Sequence, residues 1–374
     1  MAGLSTAAHL DELSALSRDL LHVFVAGPGY GEGIAVALPR QGWILVDGCQ
    51  LADNRLPLLE IMERWRRPSE PVDCLVMTHP HRDHAHGMRR VLERTNPRGV
   101  ALSAPPDAPH LAFGAAVPAG ASTTLDRARR GAVVDAILAF QRRFESAPGD
   151  FIPLSDGQLI PVSSAEVQVT ACSPRPDHAR RTLTAARQAG GADRPNELSA
   201  VLEIVFGATR IVLGSDLETA GSSGWSHVMA ARPALGDHAG LKIPHHGSPT
   251  AFHQGLTRPG ADRAWWITPF SSSRIPSMDR DGIPRFVALN GRVLLTATPR
   301  RRSDQPSWLP PAELAIGDLA GAFQPGAPAQ LGAIASSPPP IEPLDAVWCV
   351  AFDRSGRIAG AWRGHRAFAV IAGP

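Results

Sequence analysis

The sequence predicts an α/β protein built as an αββα sandwich, with a helical insertion and a small C-terminal β meander. Three observations point there. Hydrophobic residues make up 44% and charged residues 19% of 374 residues, enough apolar material for a sizeable core. Short apolar runs of strand length recur along the chain and are separated by glycine-rich turns or by segments with helical spacing. Several of those runs end on aspartate or histidine, where sandwich and α/β enzymes keep their chemistry.

In chain order, a helix is expected over Thr6 to Leu20, followed by strands at His22 to Ala26, Ile34 to Leu38 and Trp43 to Val46. The first two of these strands are separated by Gly27-Pro28-Gly29-Tyr30-Gly31-Glu32-Gly33, and the third ends at Asp47-Gly48. Leu56 to Arg66 has helical spacing, and Asp73 to Met77 reads as a buried strand running into a histidine cluster. From about 100 to 195 the chain is richer in Pro, Ala, Gly and Arg. This region reads as an insertion carrying one amphipathic helix, Leu125 to Phe144. Strands are expected again at Ser199 to Phe206, Arg210 to Leu213, Ala239 to Ile243, Ala264 to Thr268 and Arg292 to Thr296. These elements define a hydrolase domain over 1–300. A Pro-rich linker over 301–343 follows, and then a meander over 344–374 with strands at Ala346 to Phe352, Ile358 to Trp362 and Ala367 to Ile371.

Charge and cysteine content exclude several classes. The net charge is +2, so no global field attracts nucleic acid or a membrane, and any polyanion site is a local patch. Lys242 is the single lysine. The four cysteines lack CxxC spacing, which argues against a zinc knuckle or a disulfide framework and for a reducing, cytoplasmic setting. No stretch reads as a signal peptide or a membrane span.

The chemistry concentrates in Thr78-His79-Pro80-His81-Arg82-Asp83-His84. Imidazole and carboxylate suit a borderline-soft divalent metal, and His79, His81, Asp83 and His84 can surround two ions. Asp47, Asp216 and His245-His246 stand at three further strand ends, which reads as loops converging on one edge of a sandwich. Asp216 is the natural carboxylate to bridge two metals. Spacing leaves open which of His245 and His246 is the ligand, because successive residues of an extended chain point opposite ways. Lone histidines such as His110 and His178 read as surface or satisfied core residues, and Cys49 reads as a small core residue.

The HxHxDH cluster resembles the signature of the metallo-β-lactamase superfamily. The finer order is similar to the soluble C-terminal domain of ComEC-type competence proteins. A glycine loop stands at Ala26 to Tyr30, Asp47-Gly48 ends a strand, Asn196-Glu197-Leu198-Ser199 leads into strands, Ser215-Asp216-Leu217-Glu218 follows, and Lys242 to Ser248 reads KIPHHGS. Tyr30 and Pro28 depart from the opening loop of that group, and the superfamily's third histidine is replaced by Asn196 and Ser199.

The resemblance implies two divalent ions, zinc or manganese, held by His79, His81, Asp83, His84, Asp216, His245 and His246. It implies catalytic roles for Asp83, Asp47 and Lys242, the last as a phosphate contact, and substrate contacts at Asn196, Ser199 and Ser248. The implied reaction is hydrolysis of a phosphodiester, DNA or RNA, by water that the metal acidifies. Arg300-Arg301-Arg302 offers a local basic patch for such a substrate. Two alternatives are a hydrolase of a small phosphodiester or a lactone-type ester, and a regulatory subunit that binds a protein partner through the meander.

Overall fold

The computed structural model describes residues 4, 7–28, 31–51, 53–103, 124–189, 195–220, 223–258, 263–270, 276, 277, 279–298, 313–322 and 342–372. The first sheet contains β1 (Ala8–His9), β2 (Leu21–Ala26), β3 (Gly33–Ala37), β4 (Trp43–Val46), β5 (Val72–Met77), β6 (Gly99–Leu102) and β7 (Phe151–Pro153). The second contains β8 (Leu159–Ile160), β9 (Val167–Ala171), β10 (Leu202–Phe206), β11 (Thr209–Leu213), β12 (Gly240–Lys242), β13 (Ala264–Ile267), β14 (Arg292–Leu295) and β15 (Glu313–Ala315). The last three strands are shared between the sheets: β16 (Val347–Phe352) and β17 (Ile358–Arg363) join the first, and β18 (Phe368–Ile371) joins the second. The strand orders are β1-β17-β16-β2-β3-β4-β5-β6-β7 and β15-β18-β14-β13-β12-β11-β10-β9-β8.

Alternation along the strands builds three apolar layers. Trp43 and Leu45 of β4 face helices Pro57–Trp65, Met88–Thr95 and Thr124–Ser146, together with Phe24, Ile61, Val91 and Phe140. Ile44 and Val46 face the other sheet, among Ile204, Ile211 and Trp266. Val212, Leu241 and Trp265 point outward onto helices Trp225–Ala231 and Ile283–Asn290. The central strands are apolar on both faces, as the inner strands of a covered parallel sheet require. Parallel pairing of β4 with β5, and of β11 with β12 and β13, brings their C-terminal ends to one edge of the sandwich.

Four expectations are corrected. The opening helix is absent: its residues form β1 and a short 3-10 turn over Leu10–Glu12. Tertiary bonds override the helical spacing there, since Ala8 and His9 pair with β17 and the Trp65 indole donates to the Leu13 carbonyl at 2.8 Å.

The region 100–195 is not wholly an insertion. β7 extends the first sheet, β8 and β9 extend the second, and β9 pairs with β10 along its whole length. The helix expected there runs Thr124–Ser146, and a second one spans Pro176–Ala189.

The linker reading fails at 313–322, where β15 and a helix over Ile316–Ala322 pack on the second sheet. The C-terminal strands are no separate meander either. All six residues of β16 are buried because both of its faces are covered, a pattern that half-buried strands do not show. Arg300-Arg301-Arg302 and His110 lie outside the described residues.

Candidate metal centre

The edge where these strands end carries a dense buried donor set. Asp47 follows β4, Thr78 and His79 follow β5, Ser215 and Asp216 follow β11, and His245 and His246 follow β12. Asp47, Ser215, His245 and His246 have φ of 56°, 48°, 46° and 54°, so four of the seven described non-glycine residues with positive φ stand in this one place. Such conformations cost energy and persist where the surrounding structure enforces them, commonly at functional sites.

Two groups of donors form. His79, His81 and Asp216 each offer an atom within 4.8 Å of the others. Around the second face of Asp216, its Oδ1 lies 3.3 Å from His84 Nε2 and its Oδ2 lies 3.6 Å from His246 Nε2. Asp83 Oδ2 completes that group, 2.9 Å from His246 Nε2 and 3.8 Å from His84 Nε2, while Asp83 Oδ1 lies 2.7 Å from His81 Nδ1.

The histidine tautomers are fixed from behind. His84 Nδ1 donates to Asp47 Oδ2 at 2.8 Å, and His246 Nδ1 donates to the Thr268 carbonyl at 2.8 Å. His79 Nδ1 faces the Thr78 and Ser215 hydroxyls at 3.2 and 3.3 Å. Each of these imidazoles therefore turns Nε2 into the centre, the orientation that metal-binding histidines adopt.

Of the two histidines that spacing could not separate, the structure brings His246 into the cluster. His245 stands at its rim, with Nε2 4.0 Å from Asp216 Oδ2.

A divalent metal fits this site. His79 Nε2, His84 Nε2 and both Asp216 oxygens are buried and make no hydrogen bond. Unpartnered buried polar atoms are costly, and here they converge. Glu32, Asp47, Asp83 and Asp216 also bring four carboxylates into the interior against one ammonium, that of Lys242, an excess of three negative charges that two divalent ions would offset.

Burial alone would favour neutral imidazole at His84. The carboxylates of Asp216, Asp47, Asp83 and Glu32 outweigh it and hold the pKa well above the ordinary histidine value. At His246, too, burial acts downward and is outweighed by Asp216 and Asp83. His79, with burial reinforced by the nearby His84 charge, lies well below. Burial pushes the Asp47 carboxyl upward.

Glu32 is the residue that sequence reasoning missed. It clusters with His84, Asp216 and His246 within 4.8 Å, yet it approaches the histidines from behind. Its Oε2 is 3.6 Å from His246 Nδ1 and its Oε1 is 3.9 Å from His84 Nδ1. Both of those nitrogens are already engaged by Asp47 and Thr268, so Glu32 packs behind the two rings. Its own partners are Lys242 Nζ at 2.6 Å and the Thr268 hydroxyl at 2.7 Å.

Gly31 allows this placement. At φ 104° it packs where a Cβ would stand 2.6 Å from the Asp83 carbonyl, the same oxygen that accepts the Glu32 backbone N–H. The available signals were an acid between two glycines and a lone lysine at a strand end that needed a partner.

Several expected roles change. Lys242 is wholly buried and also donates to the Ile243 carbonyl at 3.0 Å, so it is no phosphate contact. Asp47 is not catalytic: both of its oxygens are occupied by Thr78 and His84. It orients the His84 imidazole. Ser248 caps the turn over Pro249–Ala251 and pairs with Thr250, and Ser199 is buried beneath the site, so neither lines the cleft that opens there.

That cleft, of about 400 Å³, is lined by His81, His178, Asn196, Glu197 and Glu218 among others. Asn196 is thus the one expected substrate contact that faces it. Cys49 lies in the core, and burial pushes its thiol far above the ordinary range.

A two-sheet sandwich with helices on both faces and this donor set on one edge has the metallo-β-lactamase fold. Residues 32–171 match the family described as the metallo-beta-lactamase superfamily. No curated protein matches the chain.

Among solved structures, the chain is similar to CmlA, a diiron beta-hydroxylase from Streptomyces venezuelae, at 14% identity and a TM-score of 0.35. That alignment covers 61% of this chain and 34% of CmlA, so this chain spans about a third of that protein's length. It is also similar to MEM-A1, a subclass B3 metallo-beta-lactamase isolated from a soil metagenome library. There the identity is 15% and the TM-score 0.33, over 61% of this chain and 78% of the other. Among the described residues no helix is long and apolar enough to cross a membrane.

Proposed function

We propose that this protein is a metal-dependent hydrolase that cleaves phosphodiesters. One observation carries the hydrolase reading: two groups of buried donor atoms share Asp216 and lie beside an open cleft. Divalent metal in such a site acidifies water and neutralises charge on the oxygens of the reacting group. The chain's own part is to hold the donors in place through Asp47, Thr78, Ser215, Thr268 and Glu32, and to receive substrate between His81 and Asn196. The phosphodiester class is supported by the ComEC-like order of motifs.

Within that class, the same order of motifs implies DNA or RNA, while the cleft favours a small phosphodiester. Its lining includes the carboxylates Glu197 and Glu218, and no lysine or arginine among the described residues. A polynucleotide needs several cationic contacts, and its binding weakens steeply with salt.

The experiment measures hydrolysis of a chromogenic phosphodiester, single-stranded DNA and RNA by metal-loaded protein across a salt series. Turnover of any of these that is abolished by chelation and restored by metal supports the proposal. A shallow salt dependence on the small substrate, with intact polynucleotides, selects the small-substrate reading. No turnover of any phosphodiester by fully loaded protein overturns the class.

A further inference from the structure

We propose that His9, Asp11 and His365 form a separate site for a zinc-class divalent cation, and that the ion clips the N-terminal edge strand to the C-terminal hairpin. One donor atom from each of the three lies within 4.8 Å of the others. The site is remote from the centre described above. β1 is the outermost strand of the first sheet, and β17, β16, β2 and β3 separate it from β4, whose end carries Asp47.

Strand register brings the three residues together. β1 runs parallel to β17 with His9 opposite Arg363, and His365 follows in the turn before β18. That turn is anchored on its own account. The Gly364 N–H donates to the Val347 carbonyl and the Arg366 N–H to the Asp345 carbonyl, each at 2.8 Å. A Cβ on Gly364 would collide with the Leu344 carbonyl oxygen, so the chain passes there only as glycine. On the other side, Asp11 stands in the 3-10 turn that follows β1. Arg64 holds its Oδ1 at 2.9 Å, while its Oδ2 lies 3.1 Å from His9 Nδ1.

The donor chemistry selects the ion. Two imidazoles and a carboxylate suit zinc and the neighbouring late divalent metals, with water as a fourth ligand. His9 Nε2 is buried and makes no hydrogen bond among the described residues, a cost that coordination offsets. The His9 and His365 rings lie 3.8 Å apart, tilted by 35°. Ligands of one zinc ion, with bonds of about 2.0–2.1 Å, stand at most about 4.2 Å apart, so the donors must shift slightly to share it. His365 and Asp11 are exposed and free to rotate into place. β1 gains most from such a link, because it pairs with β17 through only the two residues Ala8 and His9, shorter than an ordinary strand.

The test adds zinc(II) to folded protein whose central site has been reconstituted beforehand, and counts ions per chain by equilibrium dialysis. Two of the three ligands are exposed, so this ion exchanges readily and is read at equilibrium, before excess metal is removed. His365→Ala is the main variant, since it lies on an exposed turn, and His9→Gln is the second. Wild type is expected to take up one ion more than either variant, whose affinity for it should fall at least about 10-fold. Hydrogen exchange at Ala8 and His9 should slow on zinc addition in wild type and stay unchanged in H365A.

Equal ion counts and affinities in wild type and both variants overturn the site. A further ion that leaves exchange in β1 unchanged overturns the clip. Each result is a difference between wild type and variant, so it stands whatever the central cluster binds.

Discussion

The Asp47 carboxylate accepts the Nδ1–H of His84 at 2.8 Å, and that one contact decides which nitrogen the histidine turns toward the centre. The other Asp47 oxygen takes the Thr78 backbone N–H at 2.7 Å, so the group is itself held rigidly. Asp47→Asn can present its amide nitrogen to His84 and disturb the tautomer. Metal affinity at the Asp83–His84–His246 site is expected to fall about 10–100-fold with the fold retained. Calorimetric metal titration checks this, and unchanged affinity would show that Asp47 serves only the strand end.

The Lys242–Glu32 pair predicts stability rather than substrate binding. Lys242→Met leaves a buried carboxylate without its cation and is expected to cost about 3–5 kcal/mol. Adding Glu32→Gln should recover much of that loss. Denaturant unfolding of the single and double variants measures both, and a Lys242→Met protein as stable as wild type would mean that the pair carries no such energy.

Two buried histidines make stability fall in acid. Burial lowers the pKa of His22 and of His238 to about 4 from an ordinary 6.5. His238 Nε2 donates to the Leu256 carbonyl, and its buried Nδ1 has no acceptor for a further proton. The unfolded chain therefore binds protons more readily than the folded one below pH 6.5. The stability due to these groups is present above that pH and is lost as the pH falls toward 4, by roughly 3 kcal/mol for each histidine. Unfolding free energies of wild type and His238→Gln from pH 7 to 4 test this, and the variant should show a shallower slope. Identical slopes would remove His238 from the account.

The parts of this site that were legible in the sequence are those encoded locally. His79, His81, Asp83 and His84 sit within six residues after an apolar run, and Asp47, Asp216 and His246 each mark a strand end. What escaped depends on packing. Glu32 is assigned by the loop that carries it under the histidines, and Lys242 reads as exposed until the fold buries it. β8 has only two residues, and β9 lies in the Pro-, Ala-, Gly- and Arg-rich stretch that reads as an insertion, so neither is assigned to a sheet before its pairing is known. The Leu10, Leu13 and Leu16 spacing mimics a helix face, but those leucines are buried by an irregular segment that β17 and Trp65 hold in place.

Asp216→Asn is expected to abolish turnover while preserving the fold. An amide cannot neutralise two cations, and both Asp216 oxygens face the centre without another partner. Circular dichroism and phosphodiester hydrolysis read the two halves of this prediction. Full activity would make Asp216 a turn residue.

The most direct test of the metal-dependent account is the number of divalent ions in purified wild-type protein, measured by elemental analysis after reconstitution and removal of excess metal. About two ions per chain are expected, falling toward zero when His79, His84 and Asp216 are replaced together, with the variant still folded. Wild-type protein that remains metal-free after reconstitution with zinc, manganese and cobalt in turn would contradict it.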